Sequence, residues 1–208
     1  MAAVNNVIFD WSGTISNDLP LVYETVMKVF EHYGISRISL ERFRLEYTLP
    51  YMKYARKFGI TASKEEVDEV FNSHFRKHGF PQPLPNSAEA VEKLHVLGKR
   101  MVVLSSHRQQ FLEEEARRFF GDKNYFVKLF GSVHNKEDEI ENILQQLSFG
   151  PKETIIVGDT EHDILAGKSA GISTAAVLTG YRPKEKLAAA KPDFVINNLL
   201  ELFTLGIL

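Results

Sequence analysis

Polar side chains that could carry chemistry stand at four places in this chain, each at or just beyond the end of a short apolar run. They are Asp10, Ser105, Lys136 and the acidic pair Asp159 and Asp163. A polar residue that directly follows a buried strand lies at the edge of the sheet where open α/β proteins keep their ligand sites. We therefore expect these residues to meet at one edge of a sheet.

The residue types favour phosphoryl transfer supported by a metal ion. A carboxylate at Asp10 repels a phosphoryl group unless a divalent cation neutralises both charges. Mg²⁺ takes one or two protein carboxylates together with water and substrate oxygens, so Asp159 and Asp163 are interpreted as a Mg²⁺ platform facing Asp10. The hydroxyl of Ser105 and the ammonium of Lys136 would then hold the phosphoryl oxygens.

The elements expected to position these residues form a parallel α/β sheet. Short apolar runs alternate with helical patterns, which is typical of βαβ units, and near-continuous apolar runs indicate strands covered on both faces. The predicted strands are Asn6–Asp10, Arg100–Ser105, Phe126–Phe130, Thr154–Asp159, Thr174–Leu178 and Phe194–Ile196. The predicted helices between them are Ser87–Leu97, Gln110–Phe120, Glu137–Leu147 and Asp163–Ala170.

One stretch interrupts this alternation and has only helical patterns. Apolar residues from Leu19 to Tyr33 recur at helical spacing, and Ser63-Lys-Glu-Glu66 has the form of a capping box that opens another helix. The sequence therefore predicts a Rossmann-like catalytic core formed by residues 1–15 and 84–208, with an all-helical subdomain over residues 16–83 inserted into it.

Composition limits the classes of function. The 208 residues include no cysteine, which excludes disulfides and thiolate metal sites, and the net charge of −2 argues against a nucleic-acid partner. No run approaches the roughly 18 apolar residues of a membrane span. The expectation is a cytoplasmic enzyme, a monomer or homodimer, that acts on a small phosphorylated metabolite and binds neither nucleic acid nor membrane.

The segment Asp10-Trp-Ser-Gly-Thr14 resembles the first signature of the haloacid dehalogenase superfamily, Asp-x-Asp-x-Thr. With Ser105, Lys136 and Gly158-Asp159-x-x-x-Asp163 as the later motifs, the resemblance covers nearly the whole chain. It implies that Asp10 attacks phosphorus and that the inserted helices form a cap of type C1 that closes over the site. The resemblance further implies catalytic roles for Asp10, Ser12, Thr14, Ser105 and Lys136, phosphate contacts from Ser105, Ser106 and Lys136, and Mg²⁺ ligands from Asp10, the carbonyl of Ser12, Asp159 and Asp163.

Ser12 departs from the superfamily pattern. In the phosphatases of the superfamily, an aspartate at this position protonates the leaving alcohol and later activates the water that hydrolyses the aspartyl phosphate. Such general acid–base help is worth on the order of 10²–10⁴ in rate, and a serine cannot act as that base near neutral pH. Three outcomes stay open: a phosphatase that is slow or takes its acid from the cap or the substrate, a stable phosphoaspartate, or a different reaction.

The different reaction is suggested by Trp11. Asp-Trp-Ser-Gly-Thr is similar to the Asp-Trp-Ala-Gly-Thr of phosphonoacetaldehyde hydrolases, which cleave a C–P bond with a cap lysine that forms a Schiff base, and Lys53 is the candidate lysine here. Lys136 argues against this reading, because those enzymes typically carry arginine in the third motif. A degenerate member that only binds a phosphorylated ligand or a partner protein is the remaining alternative.

The leading prediction is a Mg²⁺-dependent phosphatase that works through a phosphoaspartate at Asp10, similar to members related to phosphoglycolate phosphatase. Three histidines follow predicted strands near the candidate site and are interpreted as exposed loop residues. They are His107, His134 and His162.

Overall fold

The computed structural model describes residues 3–48, 50–75, 77, 79–133 and 135–208. The chain divides into two compact units, Met1–Asn17 with Gln82–Leu208 and Asp18–Pro81. The predicted boundaries, after residue 15 and before residue 84, lie two residues from these divisions. The roles of catalytic core and cap for the two units stay a prediction.

The larger unit is built on a six-stranded parallel sheet with the strand order β3-β2-β1-β4-β5-β6. The strands are β1 (Asn6–Phe9), β2 (Arg100–Leu104), β3 (Phe126–Phe130), β4 (Thr154–Gly158), β5 (Ser173–Val177) and β6 (Phe194–Ile196). Each pairing between neighbouring strands is parallel. The predicted Rossmann-like sheet is confirmed, and each strand agrees with its predicted range to within a residue at either end.

The register of the central strands explains why the polar residues share one edge. Phe9 of β1 is level with Val103 of β2 on one side and with Val157 of β4 on the other. The chain passes from β1 to β2 in one direction and later returns to β4 on the opposite side of β1, so the strand order reverses beside β1. Such a reversal opens a crevice at the carboxyl ends of the strands, and Asp10 and Ser105 follow directly there.

The smaller unit, described by itself, contains helices and no strand within its described residues. The helices are α1 (Leu19–His32), α2 (Leu40–Glu46), α3 (Tyr51–Lys57) and α4 (Lys64–Phe75). The capping box predicted before α4 is present: Ser63 N donates to Glu66 Oε2 at 2.7 Å, and Glu66 N donates to Ser63 Oγ at 3.2 Å. Aromatic rings fill the interior of this unit, among them Phe30 and Phe58 with centroids 4.6 Å apart.

Helices of the larger unit flank the sheet and agree with the sequence patterns, with small shifts at their ends. They are α5 (Ser87–Val96), α6 (Gln109–Phe120), α7 (Lys136–Leu147), α8 (Glu161–Ser169) and α9 (Lys184–Ala189). α8 begins two residues earlier than predicted, because Thr160 caps it. The patterns missed α9, a helix of six residues that is too short to show a period.

The hydrophobic core lies on both faces of the sheet. Successive residues of a strand point to opposite faces. Accordingly, Val7 and Phe9 pack in one buried cluster, and Ile8 packs in another. Within the part of the chain that the structure describes, no helix combines the length and the apolar character needed to cross a membrane.

Candidate active site

Lys136 connects two of the predicted site carboxylates. It is the first residue of α7, and its ammonium donates to Asp10 Oδ1 at 2.5 Å and to Asp163 Oδ1 at 2.6 Å. Its side chain is only 12% exposed, so the charges meet away from bulk water. Opposite charges interact more strongly where water is excluded. Residues from the ends of β1, α7 and α8 are therefore fixed against one another.

Asp159 completes a cluster of three buried carboxylates. One oxygen each of Asp10, Asp159 and Asp163 lie within 4.8 Å of one another. Asp159 Oδ2 accepts a hydrogen bond from Tyr181 N at 2.5 Å, whereas Oδ1 is buried and has no hydrogen-bond partner among the described residues. A buried carboxylate oxygen without a partner is costly, so this oxygen is available to a ligand.

The electrostatics of the cluster favour a further cation. Burial raises the pKa of Asp10 to about 6, with Lys136 lowering it and Asp163 raising it. Burial, and then repulsion from Asp10 and Asp163, raises the pKa of Asp159 well above its usual value. One ammonium faces three carboxylates, so the site lacks positive charge when all three are ionised. Hard oxygen ligands of this kind suit a divalent cation such as Mg²⁺.

Replacing Lys136 with methionine is expected to destabilise the protein by about 3 kcal/mol near neutral pH, because buried carboxylates lose their paired cation. The loss should shrink as the pH falls. The folded pKa of Asp10 is about 6, above its ordinary value, so Asp10 in wild type becomes neutral as the pH falls through about 6. The ion pair with Lys136 is then already weakened in wild type, and removing the lysine costs less. Denaturant unfolding without Mg²⁺ at about pH 7.5 and about pH 5 checks this. Lys152→Met, on an exposed turn, is the control. An equal loss at both pH values would contradict the expectation.

Asp163 has a structural role as well as a place in the cluster. Thr160 is the N-cap of α8, and its N–H and hydroxyl donate to Asp163 Oδ2 at 3.1 and 2.6 Å. Asp163 is therefore the third residue of α8, and its carboxylate completes a capping box with Thr160. The box holds one oxygen and leaves Oδ1 for Lys136.

A loop after β5 supports Asp159, and the sequence patterns missed it. Thr179 Oγ1 donates to the carbonyl of Gly13 at 2.7 Å, and Tyr181 N donates to Asp159. Gly180 lies so close to the Asp159 carboxylate that a Cβ there would overlap it. Gly13 is in the left-handed region, and a Cβ there would lie 2.5 Å from Asp159 Oδ2. The sequence signal was present in the Thr-Gly pair that follows a strand.

Gly180→Ala is expected to push Asp159 out of the cluster and to weaken Mg²⁺ binding by about tenfold or more, since a new methyl group cannot share the space of a buried carboxylate. Isothermal titration with Mg²⁺ measures the change. Gly150→Ala is the matched control, because its Cβ would meet Glu153 only at an ordinary 3.5 Å. Equal Mg²⁺ affinity in Gly180→Ala and wild type would show that Asp159 tolerates the crowding.

The remaining predicted site residues of the larger unit lie in the loops after β1 and β2. Ser12 is partly exposed, and Thr14 is buried with a hydroxyl that has no hydrogen-bond partner among the described residues. The buried Ser105 accepts a hydrogen bond on Oγ from His107 N at 3.2 Å, and Ser106 is partly exposed. The proposed contacts of Ser12, Thr14, Ser105 and Ser106 with metal or phosphate stay predictions.

The predictions for the lysine of the smaller unit and for the three histidines have different outcomes. Lys53 is exposed on α3 of the smaller unit, and its predicted Schiff-base role stays untested. His162 is exposed, as expected, but His107 is wrongly interpreted as an exposed loop residue, because its side chain is only 18% exposed and lies beside a buried glutamate. His134 lies outside the described residues.

Fold and site together define a parallel α/β protein with a cluster of buried carboxylates, close enough together to hold a metal ion, near the carboxyl ends of β1 and β4. The model of the haloacid dehalogenase-like hydrolase family matches residues 7–177. The chain belongs to this family. The prediction of a haloacid dehalogenase-like enzyme of the phosphatase class is confirmed at this level.

Relatives and solved structures agree with this assignment. The chain is 26% identical to pyrophosphatase PpaX of Anoxybacillus flavithermus over 97% of this chain and 96% of that protein. It is also 26% identical to a phosphoglycolate phosphatase of Vibrio vulnificus over 67% of this chain and 64% of that protein. A haloacid dehalogenase-like family protein from Streptococcus pneumoniae has the same fold, with a TM-score of 0.81, 20% identity and 97% coverage of each chain.

Proposed function

We propose that this protein is a Mg²⁺-dependent phosphatase that works through a phosphoaspartate at Asp10. The observation that carries the proposal is the buried contact of Asp10 with Lys136, within a cluster that also contains Asp159 and Asp163. A carboxylate held in place and partly neutralised can approach a phosphoryl group that would repel it in water. The shared family and the relatives named as phosphatases support the same conclusion.

The residues of the chain have separate tasks in the proposed reaction. Asp10 forms a bond to phosphorus while the bond to the leaving oxygen breaks, and the bonding electrons depart with that oxygen. Lys136 keeps the attacking carboxylate oriented, and the hydroxyl of Ser105 would hold a phosphoryl oxygen. Mg²⁺, held by Asp10, Asp159 and Asp163, would neutralise phosphoryl charge. Water then attacks phosphorus, which releases inorganic phosphate and restores the Asp10 carboxylate.

Ser12 favours substrates whose leaving group needs no proton. An alkoxide is a strong base and leaves well only when an acid protonates it, a task that serine cannot perform near neutral pH. Phosphate and nitrophenolate are weak bases and depart as anions. We therefore propose phosphoanhydrides such as pyrophosphate as the preferred substrate class. Several relatives named pyrophosphatase PpaX are consistent with this choice.

The leaving-group dependence of phosphoenzyme formation tests this proposal. We expect pyrophosphate and p-nitrophenyl phosphate to phosphorylate the enzyme about 10²-fold faster than phosphoglycolate, whose leaving group is an alcohol. Single-turnover rates with Mg²⁺, measured for wild type and Ser12→Asp, give the comparison. The carboxyl group of Ser12→Asp should narrow the difference. Equal rates for all three substrates in wild type would contradict the proposed substrate class.

A further inference from the structure

Trp11 follows Asp10 but belongs to the core. Its side chain is fully buried, and its ring stacks on Phe119 of α6 with centroids 5.4 Å apart. This packing explains Trp11 without any contact with substrate. The indole N–H still needs an acceptor in the interior, since a buried donor without a partner is costly. Glu115 Oε2 accepts that hydrogen bond at 2.8 Å.

Glu115 is an unusual residue for this place, because the residue is charged but only 4% exposed on α6. Oε2 accepts a second hydrogen bond, from Ser16 Oγ at 3.1 Å. Oε1 lies 3.1 Å from His107 Nε2. Buried carboxylates are tolerated only when several partners satisfy them, and Glu115 takes its partners from two different loops.

The two loops are those that carry the predicted catalytic residues. Trp11 and Ser16 are the ends of a tight turn that contains Ser12, since the carbonyl of Trp11 accepts hydrogen bonds from the N–H groups of Ile15 and Ser16 at 2.8 and 2.9 Å. His107 belongs to the loop after β2, and its backbone N–H donates to Ser105 Oγ. One buried carboxylate thus ties the Asp10 loop to the Ser105 loop.

We propose that Glu115 is a positioning residue. It fixes the turn from Trp11 to Ser16, which directly follows Asp10, relative to Ser105. The proposal rests on the proposed function, because the geometry in question is that of phosphoryl transfer. Small misplacements of reacting groups reduce rates steeply, by as much as about 10² for a shift of about 1 Å. A residue that only stabilised the fold would change the unfolding temperature and leave the rate of the folded enzyme alone.

Two substitutions at residue 115 separate these roles. Glu115→Gln keeps an oxygen that can accept from Trp11 and Ser16, whereas Glu115→Leu removes every acceptor. Glu114→Leu, a partly exposed position on the same helix, is the matched control. The readouts are the rate of the nitrophenolate burst with p-nitrophenyl phosphate and Mg²⁺, kcat and KM separately, and the thermal midpoint.

We expect Glu115→Leu to lower the burst rate and kcat by about tenfold or more with little change in KM, and Glu115→Gln to restore most of the rate. Trp11→Phe combined with Glu115→Leu should be no slower than Glu115→Leu alone, because the two changes remove the same hydrogen bond. A Glu115→Leu protein that melts earlier but keeps the wild-type burst rate would overturn the proposal.

Mg²⁺ affinity, measured by calorimetry, keeps this test separate from the proposed function. If wild type releases no nitrophenolate and forms no phosphoenzyme, the proposed phosphatase fails, and the Mg²⁺ affinity of the Glu115 variants then decides about positioning. A several-fold weaker affinity in Glu115→Leu, restored in Glu115→Gln, would support it, because Asp10, a proposed Mg²⁺ ligand, directly precedes the turn that Glu115 holds. Equal affinities in the three proteins would overturn it.

Discussion

Asp10→Asn is expected to lower the rate of phosphate release by at least about 10³-fold, the scale of loss when a nucleophile is removed. An amide oxygen is a poor nucleophile and cannot form an acyl phosphate that water hydrolyses. Phosphate release from pyrophosphate with Mg²⁺, together with intact mass after a rapid acid quench, measures both turnover and the covalent intermediate. No phosphorylated species should form in Asp10→Asn.

Asp10→Asn is expected to be at least as stable as wild type. Burial raises the pKa of Asp10 to about 6. Above that pH Asp10 is ionised, and its buried charge lowers the stability of the folded protein relative to the unfolded chain. A neutral asparagine removes one of three neighbouring negative charges and should leave the thermal midpoint without Mg²⁺ at or above that of wild type. Asp122→Asn, an exposed residue of the same unit, is the control. Wild-type turnover in Asp10→Asn would remove Asp10 from the mechanism.

Ser12→Asp is expected to accelerate hydrolysis of the phosphoenzyme by about 10²–10⁴-fold, the usual contribution of a positioned general base. The new carboxylate would stand two residues after the nucleophile, on a side chain that is partly exposed and has room to reach water. The steady-state rate that follows the burst with p-nitrophenyl phosphate measures this step, because it is the step expected to limit wild type.

Ser12→Asn separates shape from proton transfer. Its side chain has nearly the size of aspartate but cannot take a proton from water, so its steady-state rate should stay close to that of wild type. If Asn and Asp accelerate the reaction equally, the slow step in wild type is not proton transfer. If neither variant changes the rate, another group of this protein already activates the water.

The sequence was sufficient to predict the sheet and the positions of the main charges. Apolar runs that end in a polar residue identify the carboxyl end of a strand, and this reasoning placed Asp10 and Asp159 at one edge. Lys136 was predicted at a helix start and begins α7. These features depend on local patterns and on the parallel topology, which the alternation of strands and helices already indicates.

The contacts that support the site from other loops could not be predicted from the sequence in the same way. Thr179 and Gly13 are 166 positions apart in the chain, and only the pairing of β5 beside β4 brings their loops together. The run Glu113-Glu114-Glu115 has the composition of a solvated helix face, yet Glu115 is buried. Nothing in the run itself distinguishes that residue from its neighbours; the partners that stabilise it come from other elements.

Trp11 has a packing role that its place in the motif did not predict. The likeness of Asp10-Trp-Ser-Gly-Thr14 to phosphonoacetaldehyde hydrolases suggested C–P bond cleavage as an alternative reaction. In the structure the indole packs among the aromatic rings of α6 and β3, where it also contacts Phe126. Its packing gives a structural reason for the residue, and the C–P bond reaction stays an alternative that the structure does not test.

Asp10 is expected to accept the phosphoryl group, and Ser12 is expected to slow its release. Rapid mixing of the wild-type enzyme with p-nitrophenyl phosphate and Mg²⁺ tests both expectations most directly. We predict a nitrophenolate burst of about one equivalent per chain, followed by slow turnover, with the mass of one phosphoryl group added to the acid-quenched protein. Nitrophenolate release that is linear from the first turnover, or absent, with no added mass on the protein, would contradict them.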